Sequence, residues 1–258
     1  MPPKLEVDQV GMTFHIARAR TTFTALTNVT FSVHENELFS IVGYSGGGKT
    51  TLLNLIAGFD RPTGGHILID GKPVAGPSTD NTIIFQQFAL FPWYTVVQNV
   101  EFGLEMKNVP KAERTERAMH YVRLVGLADF AKRYPSELSG GMKQRVAIAR
   151  ALAVNPKILL MDEPFGGLDH QTRLQMQDEL LKIWDQARTT ILFVTHSIEE
   201  AIKLSDRVLI LAGSPGTVRQ VFPIDLARPR DEQSKRFLEL RSVLNEVMRT
   251  SPRSNVSA

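Results

Sequence analysis

The chain contains no cysteine, which excludes disulfides and thiolate chemistry and accords with a reducing compartment. It also lacks any apolar run of the roughly eighteen residues that a bilayer crossing needs. Its start, Met1-Pro2-Pro3-Lys4-Leu5-Glu6, is without the apolar stretch of a secretory signal, so a cytoplasmic location is the expectation. Neither sign of charge dominates: 30 Lys and Arg stand against 27 Asp and Glu, a formal net charge of +3. That excess is small and scattered, and a solvated mixed surface accounts for it better than a nucleic-acid face. The local concentration is C-terminal, in Arg228, Arg230, Lys235, Arg236, Arg241, Arg249 and Arg253, a basic stretch of the kind that favours an anionic membrane surface. Histidines other than His196 show no metal-ligand spacing, and no internal repeat is visible.

What is present is enough hydrophobic sequence, 43% of 258 residues, to bury a sizeable core as one α/β domain or a domain with a subdomain. The runs Leu38 to Val42, Ile158 to Met161, Thr190 to Thr195 and Arg207 to Leu211 are too short for buried helices and rich in Ile, Leu and Val. They predict parallel strands covered on both faces. Leu5 to Phe14 and Phe23 to Val33 predict antiparallel strands, joined by an exposed loop over His15 to Thr22 that carries Arg18 and Arg20. Between Gln86 and Ser139 helical periodicity takes over, in Val96 to Met106 and in Lys111 to Val125, where Gly126 supplies a stop. Phe237, Leu240, Leu244, Val247 and Met248 fall on one face of a C-terminal helix, read as packed on its own domain, and the polar residues after Thr250 predict a frayed tail.

Chemistry enters at Gly43-Tyr44-Ser45-Gly46-Gly47-Gly48-Lys49-Thr50, which follows a predicted strand and precedes the helical stretch Thr51 to Ala57. Strand, loop and helix in that order are the setting a phosphate loop requires. Gly43, Gly46, Gly47 and Gly48 let backbone amides turn inward with those of Ser45 and Thr51, the helix adds its positive end, and Lys49 places a compact charge at the β and γ phosphates. Thr50 offers a hydroxyl oxygen to magnesium. The plain alternative, a Gly-rich turn, does not explain the flanking elements. Ile158-Leu159-Leu160-Met161-Asp162-Glu163 is an apolar strand ending in two carboxylates, and ligand sites of parallel sheets lie at the carboxyl ends of strands. Asp162 is the candidate magnesium ligand and Glu163 the candidate general base for an attacking water. Taken alone an Asp-Glu pair after a strand is an ordinary solvated loop start; the phosphate loop gives it its meaning. Ser139-Gly140-Gly141 before a helical stretch is a second phosphate-binding geometry, or simply a capped helix.

Together these residues resemble the nucleotide-binding subunit of an ATP-binding cassette (ABC) transporter, from about Leu5 to Val221. The resemblance implies a P-loop NTPase (RecA-like) α/β core with an N-terminal antiparallel β subdomain and an inserted helical subdomain. It implies a nucleotide-binding domain over residues 1–222, helical from about 87 to 150, and a C-terminal extension over 223–258. It also implies that Leu138-Ser139-Gly140-Gly141-Met142-Lys143-Gln144 reaches the γ phosphate of ATP held by a second subunit, with Ser139, Gly140, Gly141 and Gln144 as nucleotide ligands. Gln86 then resembles the glutamine that touches magnesium and senses the permease, Asp169 the loop crossing the dimer interface, and His196 the switch histidine at the γ phosphate. Phe14, with Phe23 as rival, resembles the aromatic that stacks on adenine.

Two departures stand out. Gly166-Gly167 precedes Asp169 where such importers often have Gly-Ala or Ser-Ala, and Asn36 occupies a turn where glycine is usual, although asparagine tolerates the left-handed conformation. Leu90-Phe91-Pro92-Trp93 and Ile224-Asp225-Leu226-Ala227-Arg228-Pro229-Arg230 resemble segments of the nitrate, sulfonate and taurine importers. The implied assembly is two ATP-binding subunits, with ATP and Mg²⁺, peripheral on the cytoplasmic face under a separate permease fed by an extracytoplasmic solute-binding protein, with no nucleic acid. Cargo of the pyrimidine-precursor or aromatic-carboxylate type is an alternative. So is a soluble nucleic-acid-associated cassette, although neither coiled coils nor a second cassette is present, and so is a module that only binds ATP, which intact Glu163 and His196 oppose. An exporter half is disfavoured because no membrane span is fused to the cassette.

Overall fold

The computed structural model describes residues 2–16 and 21–250. The arginine-bearing hairpin tip and the tail after Thr250 lie outside the described residues. In chain order the elements begin with β1 (Leu5–Ile16), β2 (Thr21–Val33), β3 (Leu38–Val42), α1 (Lys49–Ala57), β4 (Gly64–Ile69), β5 (Lys72–Pro73) and β6 (Asn81–Ile84). Three helices follow, α2 (Val96–Met106), α3 (Lys111–Leu124) and α4 (Gly140–Ala153), then β7 (Ile158–Asp162) and α5 (His170–Ala187). The chain closes with β8 (Thr190–Thr195), α6 (Ile198–Leu204), β9 (Arg207–Ala212), β10 (Thr217–Pro223) and α7 (Lys235–Arg249). These fall into two compact units, Met1–Pro77 with Thr190–Ala258, and Ser78–Thr189.

In the first unit β3 runs parallel to both β8 and β9, with β10 antiparallel on β9. All five residues of β3 and all six of β8 are buried, as continuous apolar runs require when both faces of a parallel sheet are covered. A four-stranded antiparallel sheet, in the order β2-β1-β4-β5, forms the other sheet of this unit. Its strands reach further into the hairpin than the sequence pattern predicts, to Ile16 and from Thr21, because cross-strand pairing continues through His15 opposite Thr22. Of the loop expected over His15 to Thr22, His15, Ile16, Thr21 and Thr22 belong to the strands, and 17–20 lie outside the described residues. Backbone bonds from Thr27 N to Gly216 O (3.0 Å) and from Gly216 N to Ala25 O (2.9 Å) tie β2 to the turn before β10. Asn36 stands at φ 59, in the left-handed turn expected of it. Helix α7 buries Phe237, Leu244 and Met248 against Ile198, Ala201 and Ile202 of α6 and Phe222 and Ile224 beyond β9.

In the second unit β6 and β7 form a parallel pair, and α2, α3 and α4 pack on one another. The α2–α4 crossing is close: a Cβ on Gly103 would stand 2.5 Å from Val154 Cγ1, and Lys107 Nζ donates to Val154 O at 2.7 Å. Thr95 opens α2 with a reciprocal capping box to Gln98, and helix α5 opens on Asp169, whose carboxylate accepts from Thr172 N at 3.0 Å.

Candidate functional site

The first unit carries the phosphate loop. Val42, the last residue of β3, pairs with Thr195 on one side and Ile210 on the other, so Gly43 and His196 leave adjacent parallel strands at the same carboxyl ends. Gly43 and Gly48 are sterically required. A Cβ on Gly43 would collide with the Leu211 carbonyl, and one on Gly48, at φ 85, would stand 2.6 Å from Leu26 Cδ2 and 2.9 Å from Ala25 O. Gly48 is the cap of α1, where no side chain bonds the first-turn amides and no acidic residue lies in that turn. Helices α2, α4, α5, α6 and α7 each have a Thr, Ser or Asp cap, whereas α1, like α3, has no side-chain cap, and a helix N-terminus of that kind is suited to an anion. Lys49 is 6% exposed and curls back to donate from Nζ to Gly43 O (2.9 Å) and Tyr44 O (3.1 Å), which holds its ammonium at the loop. Ser45, Gly46 and Thr50 are exposed, Thr51 is half-buried and Gly47 is buried. A glycine-lined, amide-rich cradle with a retained lysine fits polyphosphate.

His196 is exposed immediately after buried Thr195. The start of α6 is laced beside it: Ser197 Oγ accepts from Glu200 N (3.2 Å), while Thr195 Oγ1 accepts from Ser197 N (3.0 Å) and donates to Glu200 Oε2 (2.6 Å). Phe14 and Phe23 turn out to be directly opposed cross-strand partners. Opposed residues of an antiparallel pair share a face. The two aromatics therefore stand side by side on one face of the hairpin, Phe14 part-buried and Phe23 46% exposed.

The second unit carries the carboxylates. Ile84 pairs with Met161, so the register brings Phe85-Gln86 and Asp162-Glu163 off the same ends of neighbouring strands. Glu163 adopts φ 45, a left-handed conformation costly for a glutamate and characteristic of functional positions. Gly166 N donates to Glu163 O (3.0 Å) and Leu168 N to Phe165 O (3.2 Å), with Phe165 and Leu168 buried, which orders the Gly-Gly loop. A Cβ at Gly166 would lie 3.0 Å from the Gln86 amide nitrogen, so this glycine makes room for Gln86, whereas Gly167 has open space. Bonds from Thr172 hold the Asp169 carboxyl below the usual carboxylate range.

Ser139 is exposed and caps α4, accepting from Met142 N at 3.3 Å. Gly140 and Gly141 pack against the loop and helix at Asp169: Cβ atoms there would lie 3.3 Å from Leu168 Cδ2 and 3.1 Å from Thr172 Cγ2. Gln144, expected among the nucleotide ligands, is fully buried one turn into the helix, and both of its amide atoms are without hydrogen-bond partners.

Among the described residues no three His, Cys, Asp or Glu side chains form a self-sufficient metal cage. Mg²⁺ takes one or two carboxylates together with phosphate oxygens and water, and the hard oxygen donors of Thr50, Gln86 and Asp162 are of the type it accepts.

Several structural residues escape the sequence pattern. Arg150, near the end of α4, donates to Ala89 O (2.8 Å) and Phe88 O (3.3 Å) and lies 5.6 Å over the Phe91 ring. Burial lowers its guanidinium below the usual arginine value. Asn99, wholly buried, accepts from Phe91 N (2.9 Å) and donates to Phe91 O (3.2 Å), Tyr94 O (3.0 Å) and Thr95 O (3.0 Å). Together they fix the turn on which Phe91 packs against Phe102 (4.5 Å between centroids) and Trp93 stays 66% exposed. In the basic C-terminal stretch Arg228 pairs with Asp206 (2.8 Å), Arg236 with Glu239 and Arg241 with Glu199. Burial, and secondarily Arg228, pushes Arg230 down to about 10.

A family model described as ABC transporter matches residues 26–166. An ABC transporter ATP-binding protein of Methanocaldococcus jannaschii, itself uncharacterized, is 51% identical over 249 residues, 96% of this chain and 92% of its own. A nitrate import ATP-binding protein of Synechocystis is 48% identical, covering 89% of this chain and 85% of the relative. A taurine import ATP-binding protein of Rhizobium johnstonii is 45% identical, covering 96% and 97%. Among solved structures, a dimeric ATP-binding cassette in a post-hydrolysis state with ADP and Pi matches with a TM-score of 0.72 at 35% identity, over 86% of this chain and 100% of that one.

Proposed function

The chain belongs to the ABC transporter family, as an importer-type ATP-binding subunit in the group that includes nitrate and taurine importers, and on that premise we propose how its residues work and what it carries. It is a transport-coupled ATPase with a P-loop NTPase fold. The observation that carries the mechanistic reading is the α1 cradle, where required glycines, uncapped amides and the retained Lys49 converge.

In this reading the loop of Gly43, Ser45, Gly46, Gly47 and Gly48, with Thr51 in the first turn of α1, cradles the phosphates, and Gly47 braces the loop through its amide on Tyr44 O (3.1 Å). Lys49 turns from its own loop carbonyls onto the β and γ oxygens, and either Phe14 or Phe23 covers adenine. Thr50, Asp162 and Gln86 would hold Mg²⁺, and that ion would supply charge neutralisation for the phosphates. Glu163, kept in its left-handed conformation, takes the proton of the attacking water, and His196 stands at the γ phosphate. Ser139, Gly140, Gly141 and Gln144 form the segment that faces the ATP of a second cassette, with Asp169 at the interface between cassettes. The subunit works peripherally on the cytoplasmic face of a membrane under a permease, without nucleic acid, and a solute-binding protein delivers the cargo.

The cargo we propose is a small oxyanion-bearing solute of the nitrate, taurine or alkanesulfonate type. Reconstitution of the subunit with its permease and binding protein in vesicles tests this. ATP turnover should rise with at least one of those solutes. Stimulation only by pyrimidine precursors or aromatic carboxylates would reassign the cargo, and absence of any permease-dependent turnover would overturn the importer reading.

A further inference from the structure

Helix α6 is seven residues long, begins directly after His196 and Ser197, and leaves its last carbonyls without helical partners, as every helix does. Ser205 N takes the carbonyl of Ala201. The next carbonyls are all met by two arginines from the segment after β10. Arg230 Nη1 donates to Ile202 O, to Lys203 O (3.4 Å) and to Ser205 O (2.7 Å). Arg228 donates to Leu204 O through Nε (3.2 Å) and Nη2. The rest of the Arg230 fork returns to its own segment, Nε to Leu226 O (3.0 Å) and Nη2 to Ile224 O (3.2 Å), so the guanidinium links the two. Arg228 also pairs with Asp206, whose other carboxylate oxygen accepts from Leu38 N (2.9 Å) at the root of the strand that ends in the phosphate loop.

A planar cation with five fixed donors is suited to gathering several carbonyls at a helix C-terminus, where the helix dipole is negative; a lysine is not. Holding α6 at this end leaves its other end, with the Thr195–Ser197–Glu200 lacing, little freedom to slide along β8. We propose that Arg230, with Arg228, is a positioning residue for ATP hydrolysis: by fixing α6 from its C-terminal end, it sets where His196 stands. The inference rests on the reading of His196 as a group acting at the γ phosphate.

The test measures KM and kcat for ATP and the melting temperature on the full chain, for Arg230→Ala, Arg230→Lys, His196→Ala, the His196→Ala and Arg230→Ala double variant, and Val29→Ala. Val29, buried in the antiparallel sheet, controls for destabilisation alone. Arg230→Ala should lower kcat by about 10-fold or more, up to the roughly 10²-fold that a displacement of about 1 Å can cost, with KM unchanged. Arg230→Lys should be intermediate. In the His196→Ala background the arginine change should add no further loss. Additive losses, or a kcat reduction that Val29→Ala reproduces at equal melting temperature, overturn the positioning role. If Arg230→Ala does not fold, Arg230→Lys alone and combined with His196→Ala gives the same comparison. If His196→Ala itself leaves turnover intact, the reading of His196 fails and this inference with it; if His196→Ala is impaired and Arg230 variants are not, only this inference fails.

Discussion

At the scale of single residues, the site is built from side chains whose alternatives are sterically or electrostatically costly. Lys49 has traded water for two carbonyls of its own loop, so it is already desolvated and aimed when polyphosphate arrives. Lys49→Ala should abolish useful ATP binding, measured by titration with a fluorescent ATP analogue; near-parental affinity would remove the loop assignment. Asp169 offers a pH test. Its folded carboxyl is held below the ordinary range by Thr172, so the capping stabilisation is present above the unfolded value and fades as pH falls through the lowered folded one. The melting-temperature gap between the parent and Asp169→Ala should therefore be full near neutral pH and narrow in acid. A gap independent of pH would mean that the carboxylate charge is not what caps α5.

At the scale of elements, the turn between β6 and α2 is the clearest case of a surface feature held by buried polar groups. Asn99→Ala would take from the Phe91 amide and the Tyr94 carbonyl the partner they have here, while the Phe91 and Thr95 carbonyls keep backbone donors in Tyr94 N and Asn99 N, and an unsatisfied buried group costs about 1–3 kcal/mol. A lowered melting temperature with loss of permease-stimulated turnover is expected, and an unchanged melting curve would show that water replaces the amide. Trp93, on the same turn, is exposed and packs only partly on Phe91 and Tyr94. Exposed aromatics beside a fixed-φ proline are suited to anchoring a helix of a partner in a groove. Trp93→Ala should keep the melting temperature and basal ATPase while weakening permease pull-down or stimulated turnover. A large fall in melting temperature would make Trp93 a core residue, and unchanged pull-down and stimulation would remove it from the coupling surface.

At the scale of the whole molecule, the prediction concerns two copies. Glu163→Gln keeps size and polarity but removes the base, so hydrolysis should fall by about 10²- to 10⁴-fold with ATP still bound. An ATP-bound dimer should then accumulate on size exclusion with Mg²⁺, and adding Ser139→Arg, exposed at the α4 cap, should return it to monomer. Monomer in the first case, or dimer in the second, would count against the two-cassette arrangement.

How much of this was legible before folding depended on how far along the chain each cause acts. The phosphate loop, the Asp162-Glu163 strand end and the Ser139 cap are set by residues within a few positions, through glycine φ freedom, strand periodicity and capping, and these stand where the sequence puts them. Strands β4, β5, β6 and β10 and helices α5 and α6 were not singled out, because their short or mixed patterns take their definition from neighbours. The sequence by itself determined the strand, glycine loop and helix of the phosphate-loop motif and the runs that make the buried strands, because local backbone geometry is encoded locally. Only the tertiary structure decided that Phe14 and Phe23 share a face, that Gln144 is interior, and that Arg150, Arg228 and Arg230 spend their charge on distant carbonyls. Those outcomes depend on which groups lose water together, and desolvation is a property of packing between segments far apart in the chain.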